Sequence, residues 1–269
     1  IGCSSRFPYY MNTYGFHTIH GRAPTVASGL KMVRPELCVF VVTGDGDGLS
    51  MGISHLLHTM RRNIDVNILL FNNQIYGLTK GQYSPTSEQG KRTKSSPLGS
   101  IERPMEPVQL ALAQLQTVLR RAVEHKGTSF VEVLQNCNIF NDKAFDAYAL
   151  KGARAEGTVV LEDGEPLIFG KAHDKGVRLC GLRPEIVNLA EVDEGDLLVH
   201  DEAHPDTSLA ALLDRMTYPD FPVPVGVFRA VQRATYEELL QAQIDDAQQE
   251  RGVGALEQLL QGGDSWRVE

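Results

Sequence analysis

The sequence lacks the features that would direct it to membranes, nucleic acid or secretion. None of its apolar runs reaches 18 residues, so no membrane-spanning helix is predicted. Positive charge is not in excess, because the formal net charge is −8, and this disfavours non-specific binding to nucleic acid. Its 4 cysteines come without a recognisable secretion signal or a Cys-x-x-Cys motif, so cysteine spacing alone predicts neither disulfides nor a metal cluster. We therefore expect a cytoplasmic protein that binds neither membranes nor nucleic acid.

An initiator methionine is also missing. The chain of 269 residues begins Ile-Gly-Cys, and we expect an N-terminal segment to precede it. Its length suits one large or two small domains. The residue pattern changes near residue 145, so residues 1–145 and 146–269 are predicted to be two units, the second smaller and mixed in structure.

Two patterns typical of buried strands each end in a polar motif. The apolar, β-branched run Leu37–Gly44 predicts a strand buried on both faces, as in a parallel sheet, and it leads into Gly44-Asp45-Gly46. The run Val66–Asn72 predicts a second such strand and ends in Asn72-Asn73. Residues 47–71, a spacing of 25, separate the two motifs. The glycines indicate a tight turn at which the backbone comes close to a ligand.

A helix is predicted between these strands. It covers Gly48–Arg62, with Leu49, Ile53, Leu56 and Leu57 on one side. A right-handed strand–helix–strand crossover brings both strand ends to one edge of the sheet. The helix N-terminus there suits a diphosphate, and Asp45 and Asn73 can give oxygen ligands to Mg²⁺. The alternative is that both motifs are ordinary turns, since Asp-Gly and Asn-Asn are common loop dipeptides.

The remainder of the first unit adds two helices and a third strand. Helices are predicted over Ala23–Arg34 and Met105–Ser129, the latter with Pro107 near its start, and a buried strand over Ser129–Asn136. Glu132, inside that strand, requires a partner. Cys137 follows the strand, at the same edge as Asp45 and Asn73. Cys38, within the first buried strand, and Cys180 are interpreted as structural.

Beyond residue 145 the pattern predicts small elements and no catalytic cluster. A hairpin is predicted over Gly157–Lys171, short strands over Val177–Glu191 and Gly195–Asp201, and helices over Thr207–Met216 and Thr235–Gly252. The prolines of Phe221–Val231 argue against a central strand. His173, His200 and His204 are either metal ligands or, as for most isolated histidines, surface residues. We expect this unit to pack against another subunit or to cover the site.

Three segments carry a resemblance to a known family: residues 2–31, 44–52 and 72–100. The spacing of Gly-Asp-Gly from Asn-Asn is similar to the cofactor motif of thiamine-diphosphate enzymes. Together the segments closely resemble the β subunit of 2-oxoacid:ferredoxin oxidoreductases, especially its 2-oxoglutarate branch. The resemblance is strongest over residues 1–145. It implies an α/β fold, a parallel-sheet module that binds the pyrophosphate of thiamine diphosphate, with a smaller mixed C-terminal extension.

The resemblance also implies a set of cofactor contacts. Mg²⁺ would be held by Asp45, Asn73 and the carbonyl of Ile75. The residues expected to contact thiamine diphosphate are Ser4, His20, Gly44, Asp45, Gly46, Asp47, Asn73, Tyr76, Gly77, Leu78 and Thr79. The expected catalytic residues are His20, Leu78, Thr79 and Lys80. For His20 and Arg22 the alternative is a hydrogen bond that braces the loop.

A [4Fe–4S] cluster is implied as well. The family holds it with four cysteines, and Cys3 and Cys137 match two of them. The other two belong to an N-terminal Cys-x-x-Cys that this sequence does not contain. We expect that pair in a segment before Ile1.

The polar segment Tyr76–Ser100 is long enough to be a functional loop. Its start must lie beside the predicted Mg²⁺ site, because Asn73 is only a few residues away. Lys80 can pair there with the distal carboxylate of a dicarboxylic 2-oxoacid, which favours 2-oxoglutarate over pyruvate. The alternative for Lys80 is a solvated loop lysine.

The family resemblance implies partners and a reaction. An α subunit supplies a glutamate on the pyrimidine side of the cofactor, in an (αβ)₂ enzyme. The 2-oxoacid, here 2-oxoglutarate, is oxidatively decarboxylated to succinyl-CoA, reversibly, with coenzyme A as acyl acceptor. Electrons pass through the cluster to ferredoxin. The alternatives are pyruvate or a broad range of 2-oxoacids as substrate, a non-oxidative thiamine-dependent decarboxylase or synthase in which Cys3 and Cys137 are ordinary residues, and an inactive accessory subunit.

Overall fold

The structure is a computed structural model that describes residues 3–105 and 115–260. In these residues the strands form three sheets. The first is parallel and runs in the order β1 (Phe40–Gly44), β2 (Asn67–Asn72), β3 (Ser129–Leu134). Its three carboxyl ends therefore meet at one edge. The prediction of a parallel-sheet α/β fold is confirmed.

Side chains of the central strand β2 alternate between two apolar cores. Ile68 and Leu70 belong to one core with Leu56 of helix α2 (Ile53–Arg62) and Ala27 of helix α1 (Ala23–Val33). Leu69 belongs to the opposite core, with Val118 of helix α3 (Leu115–Glu124). Because successive side chains of a strand point to opposite faces, helices on both faces explain why β2 is continuously apolar.

The helix predicted after β1 differs in two details. Asp47–Met51 forms a π-helical turn, and α2 begins only at Ile53. Leu56 is 2% exposed, but Leu57 is 55% exposed, so its predicted place on the buried side is wrong. The inserted π turn rotates the following helix, which explains why spacing counted from Leu49 fails here. In the predicted helix Met105–Ser129, residues 106–114, with Pro107, lie outside the described residues.

The prediction that β1 is buried on both faces is also wrong. The strand begins at Phe40, whose side chain is 43% exposed, and Cys38 before it is exposed. Among the described residues no strand pairs with the outer side of β1, so it is an edge in this chain. Cys38 is therefore a surface thiol rather than a core residue.

Two smaller sheets follow residue 145. Strand β4 (Thr158–Leu161) pairs in parallel with β8 (Val223–Gly226), and β5 (Ile168–Phe169), β6 (Lys175–Cys180) and β7 (Arg183–Asn188) form an antiparallel sheet. The hairpin predicted over Gly157–Lys171 is therefore wrong. A turn does occur at Glu162, whose carbonyl accepts from the Glu165 N–H, but the strands on its two sides pair elsewhere.

Other expectations for this unit meet mixed outcomes. Pro224 lies within β8, in a sheet of two strands where both are edges, as proline requires. Leu197 and Val199 form only isolated bridges, so the strand over Gly195–Asp201 is not found. The helices are α4 (Asp146–Ala149), α5 (Arg154–Gly157), α6 (Ser208–Asp214), α7 (Tyr236–Arg251) and α8 (Leu256–Leu260).

The two units contact one another through polar groups. Arg121 on α3 donates to both carboxylate oxygens of Glu202, and Asn63 Nδ2 donates to the carbonyls of Arg233 and Ala234. The boundary at residue 145 stays a prediction. Over residues 3–105 and 115–260, none of the helices combines the length and apolar character needed to cross a membrane.

Candidate cofactor and metal site

A cavity of about 480 Å³ lies at the carboxyl ends of β1 and β2. The predicted site residues that line it are Ser4, His20, Gly44, Asp45, Gly46, Asp47, Asn73, Ile75, Tyr76, Gly77, Leu78 and Thr79. Cys3 lines it too, whereas Lys80 does not. The structure thus brings together residues from four distant segments of the sequence. Their roles remain predictions.

Asp45 is one of two buried carboxylates that line this cavity, the other being Asp47. The Asp45 side chain is 2% exposed, and its Oδ2 accepts hydrogen bonds from Ser84 Oγ at 2.5 Å and Thr86 Oγ1 at 2.8 Å. Burial raises the pKa of Asp45, and the two hydroxyl donors partly oppose the rise. The sequence analysis did not find Ser84 or Thr86. Their only signal was the polar composition of the loop that carries them.

Three polar atoms converge beside Asp45. A terminal amide atom of Asn73 lies 2.8 Å from the Ile75 carbonyl oxygen and 3.2 Å from Asp45 Oδ1. The amide nitrogen can donate to both oxygens from this position. If the amide oxygen occupies it, that oxygen accepts from the Ile75 N–H at 3.3 Å, and a cation would offset the repulsion among the three oxygens. Octahedral Mg²⁺ with ligands at about 2.1 Å places adjacent oxygens about 3 Å apart, so the residues fit Mg²⁺.

Asp47 is used to hold the segment that carries His20. Its Oδ1 accepts from His20 Nδ1 at 3.0 Å and from the Gly21 N–H at 2.8 Å, and its Oδ2 accepts from Thr43 Oγ1 at 2.7 Å. The contact places the ring proton of His20 on Nδ1, which leaves Nε2 for other contacts at the cavity. His20 therefore makes the hydrogen bond that was the alternative interpretation, one that braces its loop. A contact between His20 Nε2 and the cofactor is compatible with that bond.

The His20 segment is also fixed by contact between two glycines. A Cβ on Gly52 would lie 2.7 Å from the Gly21 Cα and 3.0 Å from the Gly21 oxygen. Gly21 itself has a φ of 71°, a conformation that favours glycine. Backbone atoms cannot move aside as a side chain can, so position 52 requires glycine.

We expect Gly52→Ala to destabilise the chain by about 1–3 kcal/mol, because overpacking against backbone forces a shift. Thermal unfolding measures it, at about 2–4 °C in Tm per kcal/mol. Gly29→Ala in α1 is the matched control, since a Cβ there meets nothing within 4 Å. The control is expected to gain up to about 1 kcal/mol from helix propensity. Equal Tm values for Gly52→Ala and the unmodified chain would contradict the clash.

Gly46 is required by a side chain rather than by a tight turn. Its φ of −65° and ψ of −37° are ordinary helical values, so the backbone conformation at this position does not require glycine. A Cβ at Gly46 would lie 2.3 Å from Cε1 of Tyr76, whose hydroxyl donates to the Gly46 carbonyl at 2.9 Å. Burial, with Asp45 and Asp47 nearby, raises the pKa of Tyr76, so the hydroxyl keeps its proton.

A second cavity, of about 550 Å³, adjoins the first and contains two thiols. Cys3 and Cys137 line it, and Cys3, Asn73 and Gly77 line both cavities. Burial raises the pKa of Cys3, and the nearby Cys137 and Asp45 raise it further while Arg6 opposes them. Neither Cys38 nor Cys180 lines this cavity. The cavity thus offers two of the four thiolates that a [4Fe–4S] cluster needs.

Other predicted ligands do not gather into a metal site. Residues 3–105 and 115–260 contain no group of three or more His, Cys, Asp or Glu side chains arranged to hold a metal ion. His200 is 1% exposed, with Nε2 2.8 Å from the Val227 carbonyl, so the surface interpretation is wrong for it. His173 is exposed, and His204 is near Asp206.

Glu132 is linked to the site through a buried hydrogen-bond network. Its side chain is 1% exposed, and its Oε1 accepts from Asn72 Nδ2 at 2.6 Å. Thr86 Oγ1 lies 2.8 Å from both Asn72 Oδ1 and Asp45 Oδ2, and its single proton can be donated to one of these two oxygens at a time. Burial raises the pKa of Glu132 well above its usual value. The partner that the sequence required for Glu132 is thus an amide rather than a cation.

Comparisons with known proteins agree with this geometry. A family model described as the thiamine pyrophosphate enzyme, C-terminal TPP binding domain, matches residues 1–133. The chain is 47% identical over 287 aligned positions to 2-oxoglutarate oxidoreductase subunit KorB of Mycobacterium tuberculosis, with 100% of this chain and 77% of that protein covered.

More distant relatives match over a shorter stretch. The chain is 42% identical over 157 residues to 2-oxoacid:ferredoxin oxidoreductase 1, subunit beta, of Aeropyrum pernix, which covers 53% of this chain and 49% of that protein. It therefore spans about half the length of that relative. A solved structure of 2-oxoglutarate:ferredoxin oxidoreductase from Magnetococcus marinus, with 2-oxoglutarate, coenzyme A and succinyl-CoA bound, matches with a TM-score of 0.73 at 28% identity. That match covers 98% of this chain and 80% of the other.

Proposed function

This chain belongs to the family of 2-oxoacid:ferredoxin oxidoreductase β subunits, and from that premise we propose that it serves the oxidative decarboxylation of 2-oxoglutarate with ferredoxin as electron acceptor. The observation that carries the proposal is the convergence of Asp45, Asn73 and Ile75 at a cavity that Cys3 also lines, with Cys137 in the adjoining cavity. A cofactor site next to a pair of thiols suits chemistry in which electrons leave the substrate and pass to a cluster.

Residues of this chain would hold both the cofactor and its metal ion. Asp45, Asn73 and the Ile75 carbonyl would give three oxygens to Mg²⁺, which would offset negative charge on the diphosphate of thiamine diphosphate. When bound, the cofactor supplies a nucleophilic carbon and an electron sink for the loss of CO₂. Tyr76 stays protonated against the Gly46 carbonyl and forms a wall of the cavity. His20, oriented by Asp47, presents Nε2 for a hydrogen bond to cofactor or substrate.

The proposal of 2-oxoglutarate as substrate is based on the relatives rather than on the predicted role of Lys80. Lys80 is exposed and lines a neighbouring cavity rather than the cofactor cavity, so its pairing with a distal carboxylate is not supported by position alone. The preference for 2-oxoglutarate is supported instead by the named relatives. Lys80 remains a proposed catalytic residue, together with Leu78 and Thr79.

The proposed enzyme needs groups from outside this chain. No glutamate among the described residues lines the cofactor cavity. We therefore assign the glutamate on the pyrimidine side of the cofactor to an α subunit, in an (αβ)₂ assembly. Two further cysteines are required beside Cys3 and Cys137. Coenzyme A would accept the acyl group, and we place the enzyme in the cytoplasm.

We expect the oxygen-free enzyme, with its α subunit, to contain about four irons per αβ unit, as one cubane cluster requires. Its visible band should bleach when 2-oxoglutarate and coenzyme A are added. Cys137→Ser should lose iron and keep thiamine diphosphate, whereas Cys180→Ser, at an exposed cysteine outside both cavities, should keep both. Iron-free protein that still binds thiamine diphosphate would instead indicate a non-oxidative decarboxylase or synthase. Bleaching with pyruvate and not with 2-oxoglutarate would contradict the proposal that 2-oxoglutarate is the substrate.

A further inference from the structure

Glu132 is a buried acid in β3 that the proposed reaction does not use. Its Oε1 accepts from Asn72 Nδ2 at 2.6 Å, whereas its other oxygen, Oε2, has no hydrogen-bond partner among the described residues. A carboxyl group that leaves one buried oxygen unpaired is a costly residue for the interior of a sheet. Since such costs are typical of functional sites, the bond to Asn72 points to a role of Glu132 in the site.

The segment that Glu132 contacts is the metal loop, residues 72–75, which carries two of the three proposed Mg²⁺ ligands. Within it Gln74 has a φ of 55°, in the left-handed region that residues other than glycine rarely adopt. Such a conformation is unfavourable by itself and persists where neighbouring contacts enforce it. Because Ile75 follows Gln74 directly, the position of the Ile75 carbonyl depends on this turn.

Asn72 closes the turn with its side chain. Its Oδ1 accepts from the Gln74 N–H at 3.1 Å, as in an Asx-turn. An amide makes this bond only when its oxygen faces Gln74, and the bond from Nδ2 to Glu132 fixes that orientation. Since Oδ1 already has this donor, the proton of Thr86 can go to Asp45 Oδ2. The orientation of one amide thus affects both the turn and the buried carboxylate.

A second amide supports the metal loop at a different point. Asn141 is buried, and its Nδ2 donates to the carbonyl of Asn73 at 3.0 Å. Its Oδ1 accepts from Lys91 Nζ at 2.5 Å, and Lys91 lines the neighbouring cavity, of about 510 Å³, that Lys80 also lines. This support reaches the backbone of the loop and does not involve the side chain of Asn72.

We propose that Glu132 is a positioning residue for the metal site and acts through the Asn72 amide. The oriented amide holds Gln74 in its turn, and the turn places Asn73 and Ile75 for Mg²⁺. This inference rests on the proposed function only in taking Mg²⁺ and thiamine diphosphate as ligands of the site. It requires no charge on Glu132, because the oxygen of a neutral carboxyl group also accepts a hydrogen bond.

Calorimetric titration of Mg²⁺ into the complex of this chain with its α subunit and thiamine diphosphate tests the role. Glu132→Leu is expected to raise the Kd for Mg²⁺ about tenfold, the smaller effect typical of a group that only supports metal ligands. Glu132→Gln keeps an oxygen for Asn72 and should leave the Kd unchanged. Val131→Ala, in the core on the opposite face of β3, should lower the Tm and also leave the Kd unchanged. An unchanged Kd in Glu132→Leu would overturn the proposal.

A double-mutant cycle tests whether Glu132 acts through Asn72. Glu132→Leu and Asn72→Ala break the same chain of hydrogen bonds, so the double variant should bind Mg²⁺ no more weakly than Asn72→Ala alone. Asn141→Ala removes a separate support, so its effect on the Kd and that of Glu132→Leu should multiply. If the effects of Glu132→Leu and Asn72→Ala multiply instead, the proposal is wrong. Because the titration needs neither iron nor turnover, it stays readable even if 2-oxoglutarate oxidation is absent.

Discussion

Replacing Asp45 with asparagine is expected to weaken the binding of thiamine diphosphate and Mg²⁺ by more than about 100-fold. Loss of a group that only hydrogen-bonds to a metal ligand typically weakens metal binding by about 10–100-fold, and loss of the ligand itself should exceed that. Asparagine keeps the shape of the side chain but loses the negative charge that faces Asn73 and Ile75. The three oxygens proposed to bind Mg²⁺ are then all neutral. Calorimetric titration of thiamine diphosphate with Mg²⁺ into the assembled enzyme measures the loss.

The same substitution is expected to stabilise the chain when metal and cofactor are removed by a chelator. Burial raises the pKa of Asp45 above its unfolded value, so ionisation destabilises the folded state by an amount that grows as pH rises through the folded pKa. An asparagine side chain does not ionise, and Tm should increase by about 2–4 °C per kcal/mol recovered. Asp220→Asn, at an exposed position, should change neither property. Unchanged cofactor affinity in Asp45→Asn would contradict the site.

Replacing Glu132 with glutamine is expected to remove a large pH dependence of stability. Burial raises the pKa of Glu132 well above its usual value, so its contribution to stability is present in acid and is lost as pH rises toward the folded pKa. Glutamine keeps the oxygen that accepts from Asn72 and never ionises. Glu132→Gln should therefore match the unmodified chain near pH 4 and exceed it increasingly at higher pH, as measured by denaturant unfolding.

Two further variants sharpen this test. Glu156 is exposed, and its bond from Lys175 lowers its pKa, so Glu156→Gln should show the opposite and smaller trend, with stability lost above the usual pKa of glutamate. Glu132→Leu leaves Asn72 Nδ2 without its acceptor, which costs about 1–3 kcal/mol at all pH values. Parallel pH profiles for Glu132→Gln and the unmodified chain would show that Glu132 is not the source of the dependence.

The sequence predicted those site residues whose positions follow from the order and direction of the strands. It did not predict the residues that reach the site only through tertiary contacts. Asp45 and Asn73 converge because parallel strands end at one edge of a sheet, which the apolar runs already indicated. Ser84 and Thr86 reach Asp45 only through the path of a long loop, and no periodicity encodes such a path.

The wrong element predictions have a related cause. The pattern of Leu37–Gly44 cannot tell an edge strand from a central one, because both are apolar. The run Gly157–Lys171 has hairpin turn chemistry, but β4 pairs with the distant β8 instead. The π turn before α2 shifts the helical phase, and Leu57 reaches the surface as a result. In each case the local sequence pattern predicted the element itself, but it carries no information about which other element pairs or packs with it.

Asn141 gives the molecule a thermodynamic link between two sites. One end of its amide accepts from Lys91, and the other donates to the Asn73 carbonyl. A ligand that draws Lys91 away changes the free energy of the metal loop, and reciprocity requires Mg²⁺ to change the affinity of that ligand by the same factor. Such coupling would run through a single amide and would not require the movement of a domain.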